Sequence, residues 1–235
     1  MVEAVQCKNA CYRGDYFEWR YLALFHKTMD LTEFEKEFRR LVFFTGATVG
    51  GYSAVELAAA RTVLPYALRF IYESAGRARL YRQHNQLLPP EALEADEGHF
   101  VSFAQENQGV VWGFKAAKDE ADPTVFQRQL DEEDGRYGEW ISETMLLSDF
   151  LISFGYWNAA NGATAKSIVG EAGESTFAKM EQLPIVWKCP HFEVRRSEGL
   201  CIATESGDFH AFGSDTDDIK SVAQKMDLVW FDVEG

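Results

Sequence analysis

The sequence predicts an α+β fold: N-terminal helices, then a mainly antiparallel central sheet with packing helices. Three observations predict it. Apolar residues follow helical spacing over roughly the first third of the chain. Period-two alternation with turn signals takes over from His99. The two kinds of pattern come in blocks rather than in the strand–helix alternation of a parallel sheet. A chain of 235 residues, 46% apolar and 14% aromatic, has globular composition and can bury a core without a disulfide or metal staple.

The elements follow in order. Asp15 to Met29 is an aromatic-rich segment with helical spacing. Thr32 and Glu35 form a capping-box pattern before the stripe Phe34, Phe38, Leu41 and Val42. Gly46 to Gly51 ends that helix, and Ser53 with Glu56 repeats the box ahead of a short Ala-rich helix. Pro65 fits the first position of the next helix, Leu68, Ile71 and Tyr72 give it an apolar face, and Gly76 closes it. Residues 77–98 read as a long polar loop. Strands are expected from Phe100, around Val110–Trp112, near Val125–Leu130 and near Arg136–Ile141. Ser148 and Asp149 then cap a helix through Phe150, Leu151, Phe154 and Trp157. Ile185–Lys188, Phe192–Arg196, Leu200–Glu205 and Phe209–Phe212 read as a meander. A helix near Asp217–Met226 and a strand at Leu228–Phe231 complete the chain. The organisation expected is an N-terminal helical extension, 1–52, packed on a domain spanning 53–235.

The chain carries 23 basic against 37 acidic side chains, a net −14. This is unsuited to general nucleic-acid binding, which needs clustered Lys and Arg. The imbalance is concentrated: residues 91–149 hold 4 basic and 15 acidic side chains. Asp119, Glu120, Asp122, Asp131, Glu132, Glu133 and Asp134 form its densest part. They read either as solvated loops or as a docking face for a basic partner. No apolar run approaches the ~20 residues of a membrane span. The opening residues lack a signal-peptide pattern, so a cytoplasmic location is expected.

Catalytic patterns are missing from the sequence. Its five histidines have no zinc-protease or deaminase spacing, and no nucleophile elbow, P-loop or dinucleotide fingerprint occurs. Cys7, Cys11, Cys189 and His191 make a poor zinc set. Cys201 is expected opposite Val194, which disfavours a hairpin disulfide with Cys189. Glu106-Asn107-Gln108-Gly109 has a candidate base but no adjacent nucleophile, and reads better as a turn. No catalytic residue, cofactor or metal is expected.

Four motifs together resemble the SUKH superfamily, which includes fungal cell-wall-synthesis regulators and bacterial immunity proteins. They are Leu64-Pro65 leading to Leu68, Ile71, Tyr72 and Gly76; Phe103 through Glu106, Asn107, Gln108, Gly109, Val110, Trp112 and Gly113; Asp122-Pro123 with Val125; and Ser148-Asp149-Phe150-Leu151. The second is the most specific. The resemblance covers roughly 53–160, and Thr124 and Phe126 depart from the family's usual residues.

The resemblance implies a SUKH-like domain whose motif residues define the fold. It implies a non-catalytic immunity protein that binds a cognate secreted toxin, often a nuclease or another effector acting on nucleic acids or nucleotides. The acidic side chains would meet the toxin's basic surface, with no nucleic acid or membrane as partner. The alternative is an intracellular regulatory scaffold of the cell-wall-regulator kind. An unrecognised hydrolase using Glu106 or a carboxylate pair is a third reading.

Overall fold

The structure is a computed structural model that describes residues 29–106, 109–116, 120–131, 135–163, 167–171, 174–197, 199–203, 208–226 and 229–231. The helical segment expected at Asp15 to Met29 lies outside the described residues except for its last. The class is α+β: helices precede an antiparallel sheet.

Helix α1 spans Leu31–Thr45. Its N-cap is Asp30, whose side chain accepts from the Glu33 backbone N–H at 2.8 Å, so the expected Thr32 box sits inside the helix instead. Asp30 offers the same three-residue reach two residues earlier. Glu35, the other half of that expected box, accepts from Tyr66 Oη at 2.6 Å. Helix α2 (Ala54–Leu57) does carry the Ser53–Glu56 capping box, and Arg77 pairs with Glu56. Helix α3 spans Tyr66–Ala75, with Pro65 at the N-cap rather than within the first turn.

The expected loop at 77–98 holds a short strand, β1 (Asn85–Leu87), between two 3-10 turns. Three residues are too few to show an alternation. Strands β2 (Phe100–Glu106), β3 (Val110–Lys115), β4 (Thr124–Gln129) and β5 (Ile141–Leu146) extend it into an antiparallel meander, β1-β2-β3-β4-β5. The strand expected at 136–141 therefore begins where it was expected to end. Before it, Asp131, Tyr137 and Gly138 make backbone bridges to Arg136, Leu130 and Gln129.

Helix α4 (Leu147–Asn158) is the centre of the molecule. It is buried almost all round, with Leu147, Phe150, Leu151, Ile152, Phe154 and Tyr156 in one core with Phe34, Phe38 and Leu41 of α1 and Leu68, Ile71 and Tyr72 of α3. Its N-cap is Leu146, without a side-chain cap, so Ser148 and Asp149 lie in its first turn. Asn158 ties it to the sheet. Its Nδ2 donates to the carbonyls of Leu80 and Asn85, and its Oδ1 accepts from the Asn85 N–H.

A second antiparallel sheet follows, built from β6 (Ser167–Glu171), β7 (Ile185–Lys188), β8 (Glu193–Arg196), β9 (Leu200–Ala203), β10 (Asp208–Phe212) and β11 (Val229–Phe231). Its order is β11-β6-β10-β9-β8-β7. Strand β6 and helix α5 (Glu174–Met180) were not expected from the sequence. Helix α6 (Thr216–Lys225) and the meander were. Cys201 pairs with Arg195, one residue away from the Val194 expected. A second small core, with Ile168, Phe209, Ile219 and Val222, lies under α6.

Candidate partner-binding surface

The motif residues are distributed through the fold. Leu64 is half-buried against the core, and Tyr72 is fully buried with its hydroxyl donating to the Leu88 carbonyl at 2.6 Å. Burial pushes the Tyr72 phenol far above its usual range. Gly76 ends α3 with right-handed backbone (φ −59°), so it serves by its lack of a side chain beside Tyr52 and Tyr72, not by a left-handed turn.

The strongest motif occupies the β2–β3 hairpin. Glu106 ends β2, half-buried, and its carbonyl accepts from the Gly109 N–H. Gly109 has φ 91°, a left-handed conformation suited to glycine, and its carbonyl accepts from the Leu130 N–H. Asn107 and Gln108 lie outside the described residues. The expected turn is therefore present, and Glu106 stands at its edge.

Trp112 and Gly113 are neighbours on β3 and so face opposite sides of the sheet. Trp112, half-buried rather than fully buried, lies against Phe150 and Phe154 of α4 (centroids 5.7 and 5.9 Å) and donates from Nε1 to Glu143 at 2.8 Å. Glu143 also stands 3.4 Å from His191 Nε2, joining the first sheet to the β7–β8 turn. On the other face a Cβ at Gly113 would lie 2.7 Å from the Trp140 ring and 2.9 Å from the Val101 carbonyl. Trp140 covers the strand there. It stacks on Phe100 (4.9 Å, 16°), which meets Phe126 edge-on at 5.2 Å. The Arg128 guanidinium lies over both Trp140 (4.4 Å) and Tyr137 (4.7 Å), and Arg128 is 3.5 Å from Asp96. Sequence reasoning did not single out Tyr137, Trp140 or Arg128. The available signal was a glycine inside a strand, which commonly marks a place where a bulky neighbour lies across the backbone.

Among the described residues, these acidic side chains do not form one face. β4 separates them: Glu120 and Asp122 precede it and Asp131 follows it, with the strand's six residues, about 20 Å, between. Asp131 lies at the β2–β3 hairpin end, where Leu130 meets Gly109. Glu120 and Asp131 are exposed. Asp122 is engaged internally: its two oxygens accept from the Ser148 N–H (2.9 Å) and Oγ (2.6 Å), capping α4 from a distance. Asp119, Glu132, Glu133 and Asp134 lie outside the described residues.

Cys189 is half-buried, its Sγ donating to the Phe192 carbonyl at 3.5 Å, and burial raises its thiol above the usual range. That is the opposite of an activated nucleophile. Among the described residues, no cluster of three or more His, Cys, Asp or Glu side chains is placed to hold a metal ion, and no helix is long and apolar enough to cross a membrane. No family model matches the sequence, and no curated protein or solved structure matches it either.

Proposed function

We propose that the chain is a non-catalytic immunity protein of SUKH-like build, which binds and neutralises a cognate protein toxin acting on nucleic acids or nucleotides. One observation carries this reading. The residues that resemble the SUKH motifs are spent on the fold: Tyr72 in the core, Gly109 in the hairpin turn, Trp112 braced on α4 and Gly113 beneath Trp140. Part of the acidic excess of 91–149 meanwhile flanks β4 along the chain, exposed at Glu120 and Asp131. Such a build leaves connection residues free to differ without disturbing the strands, and opposite charge speeds encounter with a basic toxin.

The test is co-expression of the tagged full chain with whatever protein is encoded just upstream, in catalytically inactivated form. The expected result is an equimolar complex whose association slows as salt rises. Absence of a complex, with no protection of cells expressing the active toxin, overturns the reading.

A further inference from the structure

The 28 residues that precede Met29 lie outside the described chain. Met29 itself packs against the core at the entry to α1. The stretch 16–25 holds Phe17, Trp19, Tyr21, Leu22, Leu24 and Phe25, with only Glu18 and Arg20 charged. Side chains of this size gain roughly 1.5–3 kcal/mol each on leaving water, so the stretch needs a surface to cover it.

The fold offers one where the segment joins it. Glu35, in the second turn of α1, bonds Tyr66, the first residue of α3, so the starts of α1 and α3 are neighbours. The residues leading into α3 line a groove of about 260 Å³, with Leu57, Ala60, Val63 and Leu64 in its walls and Arg69 beside them. A cavity of roughly 150 Å³ already takes a benzene ring. Val55 and Val63, on this stretch, are 84% and 79% exposed, more than any other large apolar side chain among the described residues.

We propose that residues 16–25 dock in this groove and set an aromatic ring against Val63 and Leu64. Reach permits it. Phe25 is four residues from Met29, about 14 Å of extended chain, and Trp19 is ten residues away, about 15 Å even as a helix. Charge offers a different occupant no handle: Glu56, Arg61 and Arg69 are paired with Arg77, Glu94 and Glu73. The groove therefore selects by apolar surface. A segment of the same chain meets it at an effective concentration on the order of millimolar, far above that of a separate protein or a second copy. The immunity reading does not depend on this contact.

The experiment compares the full chain with Val63→Asp and with Phe43→Ser. Phe43, 73% exposed on α1, lies outside the groove. Melting temperatures matching wild type establish that the variants are folded. Chymotrypsin cleavage after the aromatic residues of 16–25 is timed by mass spectrometry. Cleavage is expected to be about tenfold faster or more in Val63→Asp, since it follows the population of the undocked segment, and unchanged in Phe43→Ser. In a second measurement a photoreactive benzophenone side chain replaces Val63. Its cross-link is expected to reach residues 1–28 of the same chain, in a product of monomer mass. Equal cleavage of wild type and Val63→Asp, or a cross-link that joins two chains or reaches no residue of 1–28, overturns the proposal.

Discussion

Both oxygens of the Asp122 carboxylate are taken by Ser148, one by its backbone N–H and one by its hydroxyl. A residue that sequence groups with the acidic surface is therefore part of the start of α4, where negative charge also favours the helix. Asp122→Ala is expected to lower stability by about 1–2 kcal/mol, the usual scale for losing a helix cap. It should leave toxin affinity within a factor of about two. Thermal melts and titration check this. A tenfold loss of affinity at unchanged melting temperature would place Asp122 in the interface instead.

Gly113→Ala puts a methyl group against Trp140 and the Val101 carbonyl. The ring can swing aside, but the carbonyl is part of the ladder. Destabilisation of about 1–3 kcal/mol is expected. Trp140→Ala in the Gly113→Ala background should recover part of it, because the two residues contend for one space. Additive losses in the denaturation curves of the double mutant would mean that no such contest exists.

Asn158→Leu fills a similar volume but strands the Leu80 and Asn85 carbonyls and the Asn85 N–H in the core. The cost is expected at about 2–4 kcal/mol. Hydrogen exchange should show β1 opening first, since that three-residue strand has this side chain as its anchor to α4. Uniform loss of protection across the sheet would contradict a local anchoring role.

Two titrating groups give pH-dependent readouts. Burial raises the Cys189 thiol, so the thiolate is scarce at neutral pH. Native alkylation at Cys189, followed by peptide mapping, should be slow, climb as pH rises, and quicken at least tenfold in denaturant. Fast native labelling at neutral pH would refute this.

Glu193 is the opposite case. The Lys188 ammonium, and after it Arg195, hold its carboxyl below the usual value against the opposing effect of burial. A depressed carboxylate contributes stability above its unfolded value, and that contribution is lost as pH falls through the folded value. Glu193→Gln should thus be less stable than wild type at neutral pH, by under about 1 kcal/mol for so exposed a pair. The gap should close in acid. A gap that persists below the carboxylate range would point to packing, not charge.

Local chemistry was readable in the sequence, and long-range geometry was not. The Ser53–Glu56 box needs only four residues, and it formed. At α1 two acceptors competed, and Asp30 prevailed over Thr32. The aromatic pattern at 136–141 resembled a strand because it does run along the sheet: Tyr137 bridges Leu130 just past β4, and Trp140 lies across the face over Gly113. Their contacts with Gly113 and Arg128 are set by strand pairing, which no local spacing encodes. The acidic segment was visible as composition. That β4 divides it into two ends became visible only with the register.

The cover over Gly113 is hung from a connection. Trp140 lies just before the first residue of β5, outside the strand itself. The glycine below asks only for a flat neighbour. The hairpin and the surface laid over it can therefore be revised separately: one scaffold can be handed a different outward identity by changing a stretch that carries no strand.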